Sequence, residues 1–177
     1  MGYKSAYIKL ANCYLLGIGT KKDRRSAFYW FSEAKSAGDA SACYPLGLCY
    51  AMGIGVALDY KKAAENLLLA KENGSENAAL ALTKLALAKK KKAAHTLYSK
   101  GMRLLYQKKY VAAKESFESA YKNGHAKSAY ALGAIFEFGL STQTDRSAAS
   151  ALYAEAYKLG FSDTGTHLKR RILKLIK

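Results

Sequence analysis

The sequence has little proline, few acidic residues and few cysteines, and each shortage excludes a class of protein. With one Pro and 14 Gly among 177 residues, the chain is neither collagen-like nor linker-rich, and its 50% of apolar residues is far above that of a disordered chain. Cys13, Cys43 and Cys49 are odd in number and include no C-x-x-C pair, so they indicate neither a disulfide framework nor a zinc site. We expect one domain or one small array, with a hydrophobic core, in a reducing compartment.

Signals for export and membrane insertion are also missing. The first twenty residues lack the basic region, apolar core and cleavage site of a secretory signal, so the sequence predicts a cytoplasmic protein. Residues 40–58 carry no charge and are long enough to suggest a transmembrane helix. Pro45, three glycines and two tyrosines interrupt this run, however, and the same pattern recurs elsewhere with charges in it. We therefore predict no integral membrane segment.

The sequence repeats itself. A shift of 36 residues aligns residues 6–38 with residues 42–74. The matching pairs are Leu10 with Leu46, Cys13 with Cys49, Tyr14 with Tyr50, Gly17 with Gly53, Gly19 with Gly55, Asp23 with Asp59, Ala27 with Ala63, Ala34 with Ala70, and Gly38 with Gly74. A third copy keeps the same spacings at Leu132, Gly133, Phe136, Gly139, Asp145, Ala149, Ala156 and Gly160. The chain is therefore built from repeated units.

Each unit has the pattern of two helices. Apolar residues recur at intervals of three and four over about a dozen residues at the start of each unit. The same periodicity returns after the aspartate that each unit carries at the same position. Asp23, Asp59 and Asp145 stand where the second helix begins, so their carboxylates can accept hydrogen bonds from unpaired backbone N–H groups. Small residues seven apart on the second helix let neighbouring helices approach closely.

These motifs resemble the Sel-one-like repeat (SLR), a relative of the tetratricopeptide repeat (TPR). The resemblance covers residues 6–74 and 128–160, while residues 94–125 resemble a TPR through Leu97, Gly101, Leu104, Ala113, Phe117 and Ala120. It implies an all-α fold, an α/α right-handed superhelix that is a solenoid of SLR and TPR helix-turn-helix repeats.

The spacing of the units predicts four segments. Residues 1–88 form an SLR array of two full units and a half-unit helix, residues 89–93 a basic junction, and residues 94–165 a TPR unit followed by an SLR unit. Residues 166–177 form a basic amphipathic helix that caps the array, with an interfacial membrane helix as the alternative. Residues 76–107 are either one long helix or two. Four adjacent lysines favour a turn between the two halves.

The sequence offers little for catalysis. His95, His125 and His167 are isolated from one another and from carboxylate clusters, so a metal or acid/base site has nothing to build on. The glycine-containing segments 17–19 and 53–55 follow helices and lack the Lys-Ser/Thr of a phosphate loop, so we interpret them as turns. We predict a protein that is not an enzyme and that needs no cofactor and no metal.

The resemblance to SLR and TPR proteins implies a binding groove lined by the first helix of each unit. It places eight candidate partner-binding residues on this concave face: Asn12, Tyr44, Lys84, Tyr98, Met102, Tyr106, Lys127 and Tyr130. Further groove positions are Ile8, Leu15, Leu48, Met52, Leu80, His95 and Glu137. Tyr and Met provide large contact areas that suit an extended peptide. The alternative is that several of these side chains only pack between units.

Positive charge is concentrated in the second half of the chain. Residues 1–74 carry 10 basic and 6 acidic side chains (net +4), whereas residues 75–177 carry 19 and 7 (net +12). The predicted basic patch is Lys89, Lys90, Lys91, Lys92, Lys108 and Lys109. We expect an adaptor or scaffold that binds an unidentified protein or acidic peptide. The alternatives are an electrostatic nucleic-acid or anionic-surface binder, and a lysine face that only keeps the protein soluble.

Overall fold

The computed structural model describes residues 4–141, 143–162 and 166–176, and this part of the chain is helical with connecting turns. The described helices are α1 (Lys4–Leu16), α2 (Arg24–Ser36), a single 3-10 turn (Ala40–Ala42), α3 (Cys43–Met52), α4 (Tyr60–Glu72), α5 (Glu76–Tyr106), α6 (Tyr110–Lys122), α7 (Ala126–Glu137), α8 (Arg146–Lys158) and α9 (Thr166–Ile176). The all-α fold predicted from the repeats is confirmed. Among the described residues, none of these helices combines the length and the apolar character needed to cross a membrane.

The aspartates predicted to start the second helices do so. The carboxylate of Asp23 accepts hydrogen bonds from the backbone N–H groups of Arg25 and Ser26 at 2.9 and 3.3 Å. Asp59 caps α4 through two N–H groups in the same way, and Asp145 caps α8 through one. Each cap satisfies donors that the first helical turn leaves without an intrahelical acceptor. The repeated aspartates therefore fix where α2, α4 and α8 begin.

Successive helices pack as antiparallel pairs, α1 with α2, α3 with α4, and α7 with α8. The alanines that recur seven residues apart on the second helices are buried in these contacts: Ala27, Ala34, Ala63, Ala70, Ala149 and Ala156. Glycine on the first helix allows the closest approach. A Cβ atom on Gly47 would lie 2.6 Å from Cγ of Leu67, and one on Gly133 would lie 2.7 Å from Cε1 of Tyr153. The Leu-Gly motif is thus a helix-packing device.

The chain divides into two compact units, residues 1–89 (unit 1) and residues 90–177 (unit 2). The core of unit 1 is formed where α1 to α4 meet, around buried Phe31 and Leu46 and, between α4 and α5, around Leu67 and Leu85. The core of unit 2 has its own buried side chains from α5 to α9: Met102, Leu105, Phe117, Tyr130, Leu132, Ile135, Phe161, Leu168 and Ile172. Each unit therefore has a hydrophobic core of its own.

The turn expected at the four lysines is wrong. Residues 76–106 are all described, and they form one uninterrupted helix of 31 residues, α5. Repulsion between like charges on a helix surface costs only a few tenths of a kcal/mol per pair. The surrounding Ala, Leu and Lys residues are good helix formers, and the lysines at 89–92 are all exposed to water. Helix propensity outweighs the repulsion.

The C-terminal helix α9 covers the end of unit 2. Leu168 and Ile172 are buried in the core that includes α7. Glu137 at the end of α7 also holds α9 in place. Its carboxylate accepts hydrogen bonds from Lys169 Nζ of α9 at 2.7 Å and from the Tyr153 hydroxyl of α8 at 2.6 Å. The side chains of two further predicted members of this apolar face lie outside the described part: Leu175 and Ile176.

Candidate functional site

An open groove lies in unit 1 between α3 and α5. Its volume is about 450 Å³. Five predicted groove positions from two different repeats line it together: Tyr44, Leu48, Met52, Leu80 and Lys84. The other lining residues are Ala51, Leu67, Asn77, Ala81, Leu85 and Ala88. The structure thus brings together positions that the sequence separates by up to forty residues.

Helical spacing explains why these side chains form a groove. Tyr44, Leu48 and Met52 are four residues apart, so they form a ridge along one face of α3. Leu80 and Lys84 begin an equivalent ridge on α5. Between the two ridges, the floor is made of buried side chains that belong to the core of unit 1: Leu67, Ala81 and Leu85.

The groove offers apolar surface with few polar groups. Met52 and Leu80 keep 67% and 57% of their surface exposed, so both apolar side chains are largely in contact with water. The polar atoms come from the Tyr44 hydroxyl, the Asn77 amide and the Lys84 ammonium group, and none of the lining residues is acidic. This arrangement suits contact with an apolar chain segment.

The other predicted partner-binding residues lie elsewhere. Asn12 is exposed on α1, and Tyr106 is exposed at the end of α5. Tyr98 is half-buried in unit 2, with its ring centroid 5.8 Å from that of Phe117. Lys127 is exposed and lines a second pocket, in unit 2. These four residues do not line the groove of unit 1.

Two predicted positions, Met102 and Tyr130, are buried in the core of unit 2. The ring centroid of Tyr130 lies 4.6 Å from that of Tyr153 and 4.7 Å from that of Phe161. Such contacts stabilise the packing of α7 against α8 and leave little surface for a partner. For these two side chains the structure favours the packing alternative.

The predicted basic patch is spread out. Lys89 to Lys92 are consecutive residues of α5, and each step along a helix turns the side chain by about 100°. The four ammonium groups therefore point in four directions around the helix. Lys108 and Lys109 lie in the turn between α5 and α6, where Lys108 has a backbone φ of 58°. All six side chains are exposed, but those at 89–92 do not share one face.

The expectation that the histidines are isolated is wrong for two of them. The ring centroids of His95 and His125 are 5.8 Å apart, and the ring of Tyr98 lies 4.7 Å from that of His125. Sequence reasoning missed this cluster because His95 and His125 are thirty residues apart in the chain and on different elements. The side chain of the third, His167, lies outside the described part. No group of three or more metal-ligating side chains occurs among the residues that the structure describes.

The described cysteines are free and have the character of core residues. Cys43 and Cys49 are buried, and Cys13 is partly buried. Burial raises the pKa of the Cys49 thiol to about 11. Because the thiolate is the reactive form, Cys49 is unreactive near neutral pH.

Comparison with known proteins identifies the repeats. The model of the Sel1 repeat matches residues 4–39, 40–75 and 126–161, which together are more than half of the chain. A comparison of the sequence with curated proteins found no match.

Solved structures with similar folds include a Sel1 repeat protein from Oxalobacter formigenes (23% identity, TM-score 0.43), matched over 86% of this chain and 56% of that one. Another is a protective antigen of uropathogenic Escherichia coli with an SLR fold (23% identity, TM-score 0.42), matched over 92% of this chain and 32% of that one. The chain thus spans about half and a third of the length of these two proteins. Sel1 repeats generally mediate protein–protein interaction, and the chain belongs to the Sel1 repeat family.

Proposed function

We propose that this chain is a non-enzymatic adaptor that binds an acidic, apolar-anchored segment of a partner protein in the groove of unit 1. The observation that carries the proposal is the convergence of Tyr44, Leu48, Met52, Leu80 and Lys84 on one groove. The resemblance to SLR and TPR proteins predicts these positions on the concave face of the repeats.

The groove has the chemistry of a peptide-binding surface. Fully burying one Leu or Met side chain contributes about 1.5–3 kcal/mol, so covering Met52 and Leu80 would supply a large share of a micromolar affinity. Met adapts its shape to different partners, and Tyr44 adds a hydroxyl that can hydrogen-bond a peptide backbone. The volume of about 450 Å³ accommodates a few anchoring side chains.

Charge selects the partner. Lys84 lies on the α5 side of the groove, no lining residue is acidic, and the whole chain carries a net charge of +16. Between residues 77 and 114 there are ten Lys or Arg and no Asp or Glu. A segment with Asp or Glu near its apolar anchors would therefore be attracted to this groove and oriented by Lys84.

The test is a selection of random displayed peptides on the wild-type protein, followed by affinity measurements on matched variants. We expect enriched peptides that combine apolar anchors with Asp or Glu. Leu80→Glu should weaken them by about tenfold or more, because it removes an apolar contact and adds a repelling charge. Leu87→Glu is the control, because Leu87 is similarly exposed (52% against 57%) on the same helix but does not line the groove.

A second matched pair tests the charge. Lys84→Ala should weaken binding and reduce its dependence on salt, while Lys89→Ala, which lies outside the groove, should not. Equal losses in Leu80→Glu and Leu87→Glu would contradict the proposal. So would a dimer of this chain that Leu80→Glu dissociates, because the occupant would then be a second copy.

The nucleic-acid alternative makes a different prediction. Binding through the lysines at 89–92 would be abolished by nuclease treatment and would fall steeply between about 0.15 and 0.5 M salt, because counterion release dominates such affinity. It would be indifferent to Leu80→Glu beyond the effect of one charge. If the protein bound only nucleic acid and released it at high salt, the nucleic-acid alternative would replace the adaptor proposal.

A further inference from the structure

A second pocket, of about 350 Å³, lies within unit 2 and collects basic side chains. Lys91 and His95 on α5 line it together with Asn123 and His125 from the turn between α6 and α7 and Lys127 from the first turn of α7. None of the residues that line it is acidic; the remaining ones are Ala94, Gly124 and Ala126. Two lysines and two histidines thus surround one cavity without a counter-ion among its walls.

His125 is held firmly in this pocket. Its Nδ1 atom is hydrogen-bonded to the Ser128 hydroxyl at 2.9 Å, and its ring packs against Tyr98. Burial lowers the pKa of His125, and the nearby His95 and Lys127 lower it further. The surroundings of His125 therefore disfavour a further positive charge, and a bound anion would reverse this effect.

The equivalent position of another repeat carries an acid. Asp39 precedes the second Sel1 repeat as His125 precedes the third, and the carboxylate of Asp39 accepts a hydrogen bond from the backbone N–H of Ser41 at 3.0 Å. The side chain of His125 makes no such bond to the start of α7. Where the second repeat has a carboxylate of its own, the third has four basic or titratable groups around an open cavity.

We propose that this pocket binds a phosphate-type oxyanion, either inorganic phosphate or the phosphoryl group of a modified side chain. A phosphoryl group carries close to two negative charges and three strong acceptor oxygens, which matches donors that approach from α5 and from α7. Lys91 and Lys127 supply permanent charge. His95 and His125 supply imidazole N–H groups.

The probe is sulfate, a dianion that does not titrate near neutral pH, followed by NMR of the imidazole C–H signals of the full chain. We expect sulfate to shift the signals of His95 and His125 and to raise the pH midpoint of His125. Sulfate affinity should rise about fivefold as His125 becomes protonated, because one charge is added near the anion. The other polar groups near His125 are the Tyr98 hydroxyl, the Ser128 hydroxyl and the neutral Asn123 amide.

Matched variants separate a site from general attraction to a basic protein. Lys127→Ala and His125→Asn should each weaken sulfate binding at least about fivefold, and Asn is a good residue for the start of a helix, so α7 should remain intact. Lys122→Ala is the control, because Lys122 is exposed on the neighbouring α6 but does not line the pocket. Equal effects of Lys127→Ala and Lys122→Ala would overturn the proposal, as would sulfate that leaves His95 and His125 unshifted.

The source of the anion is decided by two further probes. A phosphoserine peptide that binds at least tenfold more tightly than inorganic phosphate would identify the ligand as a modified side chain, and equal affinities would identify free phosphate. Acetate that binds as tightly as sulfate would overturn the preference for a phosphate-type anion. The pocket lies in unit 2 and the groove in unit 1, so this proposal and the adaptor proposal can fail independently.

Discussion

At the scale of single residues, two glycines in equivalent turns have different surroundings. Gly19 and Gly55 are related by the repeat and have backbone φ angles of 67° and 70°, a region that other residues enter at a cost. A Cβ atom on Gly19 would meet nothing within 4 Å. One on Gly55 would overlap the carbonyl oxygen of Arg24, at the start of α2.

This difference predicts unequal effects of the same substitution. Gly19→Ala should lower the free energy of unfolding by about 1 kcal/mol through backbone strain alone. Gly55→Ala should lower it by about 3 kcal/mol, because the clash with Arg24 adds the cost of overpacking. Urea denaturation of both variants measures the two values. Equal losses would mean that the turn of α3 and α4 does not pack against α2 as closely as the structure has it.

Lys108 offers the opposite case, a residue that its backbone does not favour. It is the one non-glycine with positive φ among the described residues, and it lies in the turn that follows α5. Lys108→Gly should raise the free energy of unfolding by about 0.5–1 kcal/mol, because glycine adopts this conformation without a side-chain clash. Lys109→Gly removes the same charge at a φ of −86° and should stabilise nothing. Thermal denaturation compares the two. A gain shared by both variants would point to charge rather than strain.

Residue types predicted some of these features and missed others. The capping aspartates were predictable because a short acidic side chain before a helix has one dominant use. Burial of Met102 and Tyr130 was not, because a large side chain on a first helix can face either the groove or the next helix. Which one it faces depends on neighbours such as Tyr153 and Phe161 that are distant in sequence.

At the scale of elements, a partly buried ion pair links α9 to α7. Lys169 Nζ lies 2.7 Å from Oε1 of Glu137, with 36% and 28% of the two side chains exposed. Burial alone would raise the pKa of Glu137, but hydrogen bonds from Lys169 and Tyr153 outweigh it, and the pKa is lowered below its ordinary value of 4.5. A lowered pKa means that the contribution to stability is complete above about pH 4.5 and is lost as the pH falls through the folded-state pKa.

We therefore expect α9 to loosen when Glu137 is protonated. The protection factors of the α9 amides, which correct for the slower intrinsic exchange at acidic pH, should fall on acidification below about pH 4.5 in the wild type. Lys169→Gln should lower these protection factors already at neutral pH, by an amount that corresponds to about 1 kcal/mol or less for a pair this exposed. Lys158→Gln, which removes a surface pair with Glu155, is the control and should change nothing. If exchange in α9 were as slow in Lys169→Gln as in the wild type, the ion pair would not contribute to the stability of α9.

The groove was predictable as an element-level pattern. The resemblance to SLR and TPR proteins placed Tyr44, Leu48 and Met52 on α3, and Leu80 and Lys84 on α5, among the groove positions. Their spacing by four residues explains why each set shares one face of its helix. The floor of the groove was not predicted. Leu67 comes from a second helix, α4, and the depth of the groove depends on how closely α3 and α4 approach at Gly47. The uninterrupted α5 was also missed, because the small repulsion between lysines was given more weight than helix propensity.

At the scale of the whole molecule, positive charge and the two cores are distributed differently. Each unit has a hydrophobic core, but most of the net charge of +16 comes from residues 75–177, which carry +12. Charge governs which partners approach and how fast, whereas the cores govern whether each unit stays folded.

The two cores predict that damage in one unit stays largely in that unit, because repeat proteins are stabilised mainly by contacts between neighbouring repeats. Gly47→Ala and Gly133→Ala are a matched pair, since a Cβ atom would lie 2.6 Å from a Leu67 carbon in unit 1 and 2.7 Å from a Tyr153 carbon in unit 2. Each should destabilise its helix pair by about 1–2 kcal/mol, after a gain in helix propensity is subtracted from the cost of overpacking.

Native-state hydrogen exchange reads the outcome helix by helix. Gly47→Ala should accelerate exchange in α3 and α4 while α7 and α8 keep their wild-type protection, and Gly133→Ala should do the reverse. The same two variants also test the function of the groove, because Leu67 forms part of its floor. Gly47→Ala should lower the affinity for a peptide that binds in the groove, and Gly133→Ala should leave that affinity unchanged. If either substitution accelerated exchange equally in all four helices, the chain would unfold as one cooperative block, and α5, which contributes to both units, would be the element that couples them.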